Sequence, residues 1–164
     1  MTARFSVEKT LGKLAKWLRI LGFDACSDPC GSMGSKTTAV SDRILLTRTR
    51  RRSRELQGRP FVFIHSNDPF DQLKEVICSL GLSLRDIRPF SRCLLCNEPT
   101  EPVSKDEVRH LVPDFIWESH ERFCRCGRCQ KIYWSGSHTE RGMARIASLF
   151  EDPKPIELPH GSDT

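Results

Sequence analysis

The stretch LGKLAKWLRILGFD, residues 11–24, indicates an amphipathic helix that is followed by a strand. Its apolar side chains recur at the three- and four-residue spacing of one helix face: Leu11, Leu14, Ala15, Leu18 and Leu21. The opposite face carries three basic side chains, Lys13, Lys16 and Arg19. Thr10 is a candidate cap, and Gly22 stands where the end of a helix favours glycine. The stretch therefore predicts a helix over residues 11–21 and a strand over 23–26.

A short alternating run predicts a strand at residues 4–7, and two apolar runs after the helix predict buried strands at residues 43–47 and 60–65. A second helix is predicted to have Asp68 as its cap and Pro69 in its first position, and to end at Gly81. Strands that alternate with helices predict an α/β fold, with a mostly parallel sheet and helices on both faces. In such sheets, functional groups collect at the carboxyl ends of the strands.

The composition is that of a globular protein, because 38% of the 164 residues are hydrophobic and 29% are charged. No run approaches the ~20 apolar residues of a membrane span, and the N-terminal residues lack an apolar signal core. We therefore expect no membrane association and a cytoplasmic location. In that compartment, cysteines serve as metal ligands or free thiols before they form disulfides.

The net charge of +5 is unevenly distributed, at +7 over residues 1–89 and −2 over residues 90–164. Five of the eight cysteines also lie in the second part of the chain. These changes predict two modules: an α/β domain over residues 1–88 and a zinc ribbon over 89–145. Residues 146–164 end in a stretch of prolines and acidic side chains, and we predict a disordered tail there.

Two CxxC pairs mark the second module, Cys93-Leu94-Leu95-Cys96 and Cys126-Gly127-Arg128-Cys129. A two-residue spacer lets both thiolates of a turn face one ion, and two such turns complete a tetrahedral zinc site. Asn97 and Gly127 suit the left-handed positions of these turns. Two local disulfides or free thiols are the alternatives. We expect the remaining cysteines to be thiols: Cys26, Cys30, Cys78 and Cys124.

A dense basic block follows the strand predicted at residues 43–47; it consists of Arg48, Arg50, Arg51, Arg52 and Arg54. Arginines at a strand end can contact phosphates, which gives affinity for nucleic acid without reading its sequence. Lys13 and Lys16 extend this candidate surface. The alternative is a solvated surface that only increases solubility.

Several of these runs together resemble the PIN-like ribonuclease family named for the C-terminal part of the Mut-seven protein. The runs that carry the resemblance are residues 11–24, 43–48, 71–73, 90–97 and 131–138, and it covers about residues 4–145. The resemblance implies a PIN-type α/β domain fused to a zinc ribbon, and cleavage of RNA. It also implies that carboxylates at the strand ends hold magnesium or manganese, hard ions that prefer oxygen ligands.

The family pattern has an aspartate after the first strand, where this chain has Glu8. It has an acid after the third strand, where this chain has Thr49, and an acidic pair near residues 32–38, which contain no carboxylate. The candidate metal-binding carboxylates are Glu8, Asp24, Asp28 and Asp68. Glu8 and Asp24 are the carboxylates that remain of the family's acidic pattern, whereas Asp28 and Asp68 are candidate substitutes near the strand ends.

Two functions follow from these observations, and a third has less support. The first is an RNA-processing ribonuclease that uses a divalent metal and carries structural zinc. The second is an RNA- or ribonucleoprotein-binding module on the same fold, with cleavage weakened or lost. The third is a protein-interaction adaptor that uses the zinc ribbon, although the sequence identifies no protein partner.

Overall fold

The computed structural model describes residues 3–27, 42–51 and 60–151, except the side chains of residues 137–139 and 151. Four parallel strands form the first sheet, in the spatial order β2–β1–β3–β4. They are Arg4–Val7 (β1), Asp24–Ser27 (β2), Ile44–Thr47 (β3) and Phe61–Phe63 (β4). Helices flank this sheet, so the predicted α/β class is confirmed.

Four α-helices lie in the described part of the chain: Gly12–Ile20 (α1), Pro69–Leu80 (α2), Asp114–Ser119 (α3) and Ser137–Glu151 (α4). Both ends of α2 are as predicted, because Asp68 accepts from the backbone N–H of Phe70 and Asp71, and Gly81 adopts φ 59°. None of the described helices combines the length and apolar character that a bilayer span needs.

The start of α1 differs from the prediction, because Thr10 does not cap it. A 3-10 turn, Lys9–Leu11, leads into the helix, and the residue at the cap position is Leu11, which makes no side-chain cap bond. The backbone N–H of Leu11 donates to the carbonyl of Glu8 at 2.8 Å, which closes this tighter turn. A 3-10 turn ahead of an α-helix is a common alternative to a side-chain cap.

The predicted apolar face of α1 is buried against the first sheet. All five of its members are at most 2% exposed: Leu11, Leu14, Ala15, Leu18 and Leu21. Phe5 of β1 and Phe23 meet edge to face with their ring centroids 5.6 Å apart. Each fully buried side chain of this size contributes about 1.5–3 kcal/mol, so this face is the main attachment of α1 to the sheet.

Helix α4 covers residues 146–151, the first part of the predicted disordered tail. It begins at Ser137 and continues to Glu151, past the start of the predicted tail. Ile146 and Leu149 are buried in the same core as α1, and the Arg145 guanidinium lies 4.0 Å from the centre of the Phe70 ring. The prolines and acids beyond 151 had dominated the prediction; residues 152–164 lie outside the described part.

The second sheet is small and antiparallel, in the order β5–β6–β7. Its strands are Thr100–Val103 (β5), Phe123–Cys126 (β6) and Ile132–Trp134 (β7). A separate core of four buried side chains lies beneath it: Val108, Val112, Phe123 and Ile132. Pro102 is tolerated in β5 because β5 is an edge strand.

The carboxyl end of α1 is fastened to the segment that joins the two sheets. Gly22 adopts φ 88°, and its N–H and that of Phe23 return to carbonyls of the last turn of α1, as in a Schellman motif. The next two carbonyls, of Ile20 and Leu21, accept from the N–H groups of Phe90 at 2.9 Å and Arg88 at 2.8 Å. The joining segment therefore satisfies the carbonyls that this helix end leaves without partners.

Gly22→Ala should destabilise the protein by on the order of 3 kcal/mol, the sum of left-handed strain and overpacking. A Cβ at this position would overlap the carbonyl oxygen of Arg88. Gly81→Ala is the matched control, because Gly81 is also left-handed but a Cβ there meets nothing within 4 Å. That control should cost about 1 kcal/mol. Denaturant unfolding of both variants measures the difference, and equal costs would contradict the close approach.

Candidate functional site

The four cysteines of the CxxC pairs converge on one point. The Sγ atoms of Cys93, Cys96, Cys126 and Cys129 all lie within 4.8 Å of one another. In a tetrahedral zinc site with Zn–S bonds of about 2.3 Å, the sulfurs are about 3.8 Å apart. The four thiols therefore fit a metal ion such as zinc, and with the antiparallel sheet they have the arrangement of a zinc ribbon.

The two CxxC turns have the same backbone geometry. In each, the N–H of the first cysteine donates to the carbonyl five residues later, and the residue after the second cysteine donates back to the first. That residue is left-handed in both turns, Asn97 at φ 64° and Gln130 at φ 60°. The prediction was right for Asn97 and wrong for Gly127, because the left-handed position follows the second cysteine rather than the first.

Tyr133 supports the metal centre from outside the four ligands. Its hydroxyl accepts from the N–H of Leu94 and lies 3.1 Å from the Cys93 sulfur, to which it can donate. Burial opposes ionisation of Cys93, but the hydrogen bonds from Tyr133 and from backbone N–H groups outweigh it and lower the pKa to about 6. The thiolate form that binds metal is thus favoured at Cys93 near neutral pH.

The first CxxC turn docks against α1 and β2 of the other sheet. The Arg19 guanidinium donates through Nη1 to the carbonyls of Leu94 at 2.7 Å and Leu95 at 3.2 Å. The Asn97 amide accepts from the N–H of Ala25 at 2.9 Å and donates to Asp24 at 2.7 Å. Arg19 is only 8% exposed, so the prediction that it lies on the solvent face of α1 is wrong.

Asp24 lies in this junction, away from the other candidate carboxylates. It starts β2 and pairs in register with Arg4, so it lies at the amino edge of the sheet, whereas Glu8 follows the carboxyl end of β1. Both of its oxygens accept from the Arg43 guanidinium at 2.8 Å. Burial alone would raise the pKa of Asp24, but the bonds from Arg43 and Asn97 lower it to about 2. The structure therefore does not bring Asp24 and Glu8 together.

Glu8 lies at the carboxyl edge, where the prediction placed it, and the segment after β3 holds its carboxylate. Oε2 accepts from the Thr47 hydroxyl and the Arg48 N–H, both at 2.8 Å, and Oε1 accepts from the Thr49 hydroxyl at 2.6 Å. Thr49 thus supplies a hydrogen-bond donor to Glu8 at the position where the resembled family has an acid.

The other two candidate carboxylates do not join Glu8 in a cluster. Asp68 is exposed and caps α2 through Oδ1, and Asp28 lies outside the described residues. Within the described ranges, the four cysteines are the one group of three or more His, Cys, Asp or Glu side chains close enough to share an ion. Glu75, which the prediction missed, is a buried carboxylate that accepts from the N–H groups of His65 and Ser66 after β4.

A basic groove of about 590 Å³ runs along α1 and opens at the carboxyl edge of the first sheet. Its lining is Thr10, Gly12, Lys13, Lys16, Arg19, Ser27, Arg48, Asn67, Pro69 and Gln72. Three of the predicted nucleic-acid-binding residues therefore share one concave surface, and no described Asp or Glu lines it. The Arg48 guanidinium donates to the Asn67 side chain at 2.6 Å, which fixes its position in the groove.

Of the rest of the predicted basic block, the two described members, Arg50 and Arg51, are not in the groove lining. Arg50 and Arg51 follow Arg48 and are exposed, whereas Arg52 and Arg54 lie outside the described residues.

Three of the four other cysteines are free thiols, namely Cys26, Cys78 and Cys124. Cys30 is outside the described residues as well.

In the comparison with protein families, the model of the family described as Mut7-C RNAse domain matches residues 3–146. No curated protein matches the chain, and no solved structure matches it. The matched range includes both sheets, the four cysteines and the basic groove.

We expect Cys126→Ser to abolish zinc binding and unfold the second sheet, because structural zinc supplies ~10–16 kcal/mol in small zinc domains. Cys124→Ser is the matched control, since Cys124 lies in the same strand but outside the cluster of four. It should retain one zinc per chain. Metal analysis and circular dichroism measure both variants, and a folded, zinc-free Cys126→Ser protein would contradict the structural role.

Asp24→Asn should destabilise the protein by about 3 kcal/mol at neutral pH, because it leaves the Arg43 guanidinium without its anion. The folded pKa of about 2 lies below the ordinary aspartate value. The stabilisation is therefore complete above about pH 4 and lost as pH falls towards 2. Denaturant unfolding should show the gap between wild type and variant closing over that range.

The control for this experiment is Asp86→Asn, because Asp86 is an exposed carboxylate bonded only within its own turn, to Ser83. Metal content is measured at each pH alongside unfolding, because Asp24 also accepts from Asn97 beside the metal ligand Cys96. A gap for Asp24→Asn that stays constant from pH 7 to pH 2 would contradict the ion pair.

Proposed function

The chain belongs to the Mut7-C RNAse domain family, and from this membership we propose that it is a ribonuclease that holds RNA in the basic groove. One observation carries the proposal: Arg48 lines the groove and also donates its backbone N–H to Glu8. The groove therefore leads to Glu8, the candidate carboxylate at the carboxyl edge of the sheet that the end of β3 holds by hydrogen bonds. An RNA strand in the groove would pass this carboxylate.

The groove suits a phosphate backbone better than a base. Lys13, Lys16 and Arg48 line the groove with cations, and Asn67 and Gln72 add amides to the same lining. Cationic side chains bind phosphates without discriminating between sequences, and the released counterions make the affinity depend on salt. We therefore propose single-stranded RNA of mixed sequence as the class of ligand.

We propose that Glu8 is the protein ligand for a divalent ion, magnesium or manganese, during cleavage. Such ions often bind through one or two carboxylates together with substrate phosphates, so one carboxylate beside a phosphate-binding groove fits this role. When bound, the ion would activate water and stabilise the leaving oxygen. The donors from Thr47, Arg48 and Thr49 hold the carboxylate of Glu8 in one orientation.

The other candidates receive different roles in this proposal. Asp24 is a structural ion-pair residue and Asp68 a helix cap, as their hydrogen bonds indicate. Asp28 stays a prediction, as does the cytoplasmic location. A PIN-like relationship is supported by the parallel order β2–β1–β3–β4 with an acidic residue directly after β1.

RNA binding without cleavage is the second candidate function. It is favoured by the chemistry around Glu8: hydroxyl and N–H donors surround the carboxylate, and Thr49 stands where a second acid would share an ion. The described groove lining also contains no carboxylate. A chain of this kind would retain the RNA and leave the phosphodiester intact.

Cleavage of labelled single-stranded RNA in the presence of manganese separates the two functions. We expect Glu8→Gln to lower the rate at least 100-fold, because the amide cannot supply the negative charge that holds the ion. Glu118→Gln is the control, since Glu118 is an exposed carboxylate on α3, away from the groove. Equal cleavage by wild type and Glu8→Gln would identify a contaminant and overturn the catalytic role.

RNA affinity tests the groove independently of cleavage. Lys16→Gln should weaken binding and reduce the slope of log affinity against log salt by about 0.7, the value for one phosphate contact on a single strand. Arg109→Gln, a cation of the second module that stacks on Trp117, is the control and should leave both quantities unchanged. Tight, salt-dependent binding without cleavage would favour the second function.

A further inference from the structure

Arg19 contacts the groove, strand β2 and the first CxxC turn, although these are separate segments of the sequence. It lines the basic groove, its Nε donates to the β2 carbonyl of Ala25 at 2.8 Å, and its Nη1 donates to the carbonyls of Leu94 and Leu95. Leu94 and Leu95 are the two residues between the metal ligands Cys93 and Cys96. The guanidinium thus bridges the groove wall to the backbone of a metal-binding turn.

The two ends of the bridge belong to helix α1 and to the first CxxC turn. On one side, Arg19 is 8% exposed and belongs to α1, three residues beyond Lys16 and six beyond Lys13. On the other side, the Leu94 and Leu95 carbonyls belong to a turn that a bound ion would close through both flanking cysteines. Residues three apart on a helix share a face, so the position of Arg19 bears on where the two lysines lie.

We propose that Arg19 is a positioning residue that couples occupation of the four-cysteine site to the RNA-binding geometry of the groove. The coupling to RNA rests on the proposed function, whereas the coupling to the metal does not. With metal bound, the carbonyls of the turn are held in place and accept from Arg19. Without metal, the turn loses its closure, Arg19 loses two acceptors, and the basic row on α1 loses its anchor at that end.

Such coupling must be reciprocal, because the metal and the RNA act on the same conformational equilibrium. Metal should raise RNA affinity, and RNA should slow metal release. Removing the bridge should abolish both effects while leaving each ligand able to bind. If the second module instead contacted RNA directly, metal would still raise RNA affinity after Arg19 is replaced.

The first experiment measures zinc release into a chelator, without RNA. Arg19→Gln should release zinc about tenfold faster than wild type, within the range seen when a group supporting metal ligands is removed. Asn97→Gly removes the second contact of the turn with β2 and keeps the left-handed backbone, so it should also release zinc faster. Lys16→Gln is the control and should release zinc at the wild-type rate.

The second experiment measures RNA affinity with and without zinc over a range of salt. Arg19→Gln should lower the affinity of the zinc-loaded protein with an unchanged salt slope, whereas Lys16→Gln should lower the slope by about 0.7. Removing zinc should weaken RNA binding severalfold in wild type and much less in Arg19→Gln. Saturating RNA should slow zinc release from wild type only.

Arg19→Lys tests the geometry, because it keeps the charge and the alkyl stem but loses the planar fork of donors. It should fail to restore slow zinc release, and it also serves if Arg19→Gln folds poorly, with thermal unfolding as the check. Full rescue by lysine, or unchanged zinc release in both variants, overturns the bridge. If wild type binds no RNA, the proposed function is overturned, and the zinc-release rates still decide whether the bridge exists.

Discussion

The rest of the structure depends on helix α1 being held on two sides. Its apolar face is buried on the parallel sheet, and its carboxyl end is hydrogen-bonded to the segment that leads to the second sheet. Burial of the apolar face holds α1 against the sheet, and the backbone hydrogen bonds hold its carboxyl end against the joining segment. Gly22 makes the second attachment sterically accessible, since only glycine leaves room for the Arg88 carbonyl. The groove and the first CxxC turn both border α1, so their positions depend on these two attachments.

The charged side chains on the junction side of α1 have buried partners, whereas those on the groove side face solvent. The junction side contains an ion pair and charged hydrogen bonds that satisfy buried groups, with Asp24, Arg43 and Arg19 at its centre. The groove side leaves Lys13 and Lys16 exposed, and these remain available to a ligand. Basic residues of the same helix therefore have opposite roles, because a buried guanidinium needs acceptors and an exposed ammonium is already hydrated.

The metal centre illustrates how local sequence and tertiary contact combine. Spacing within each CxxC pair is a local property, so it predicted the four ligands and the repeated turn. The support from Tyr133 and the docking through Asn97 join residues that are 40 and more than 70 positions apart. No local pattern indicates such pairs, although the aromatic run 132–134 and the asparagine after Cys96 were visible in the sequence. Helix α4 was missed for a similar reason, since its apolar residues are buried in a core that residues far upstream form.

The sequence by itself determined the α/β class, the buried stripe of α1, both ends of α2 and the four cysteines that fit a metal ion. These features depend on periodicity, capping and short spacing, which act within a few residues of the chain. Only the tertiary structure decided that Asp24 lies at the opposite edge of the sheet from Glu8, that Arg19 is buried, and that Lys13, Lys16 and Arg48 share a groove. Those outcomes depend on the register of parallel strands and on helix packing, in which residues distant in sequence compete for the same partners and the same space.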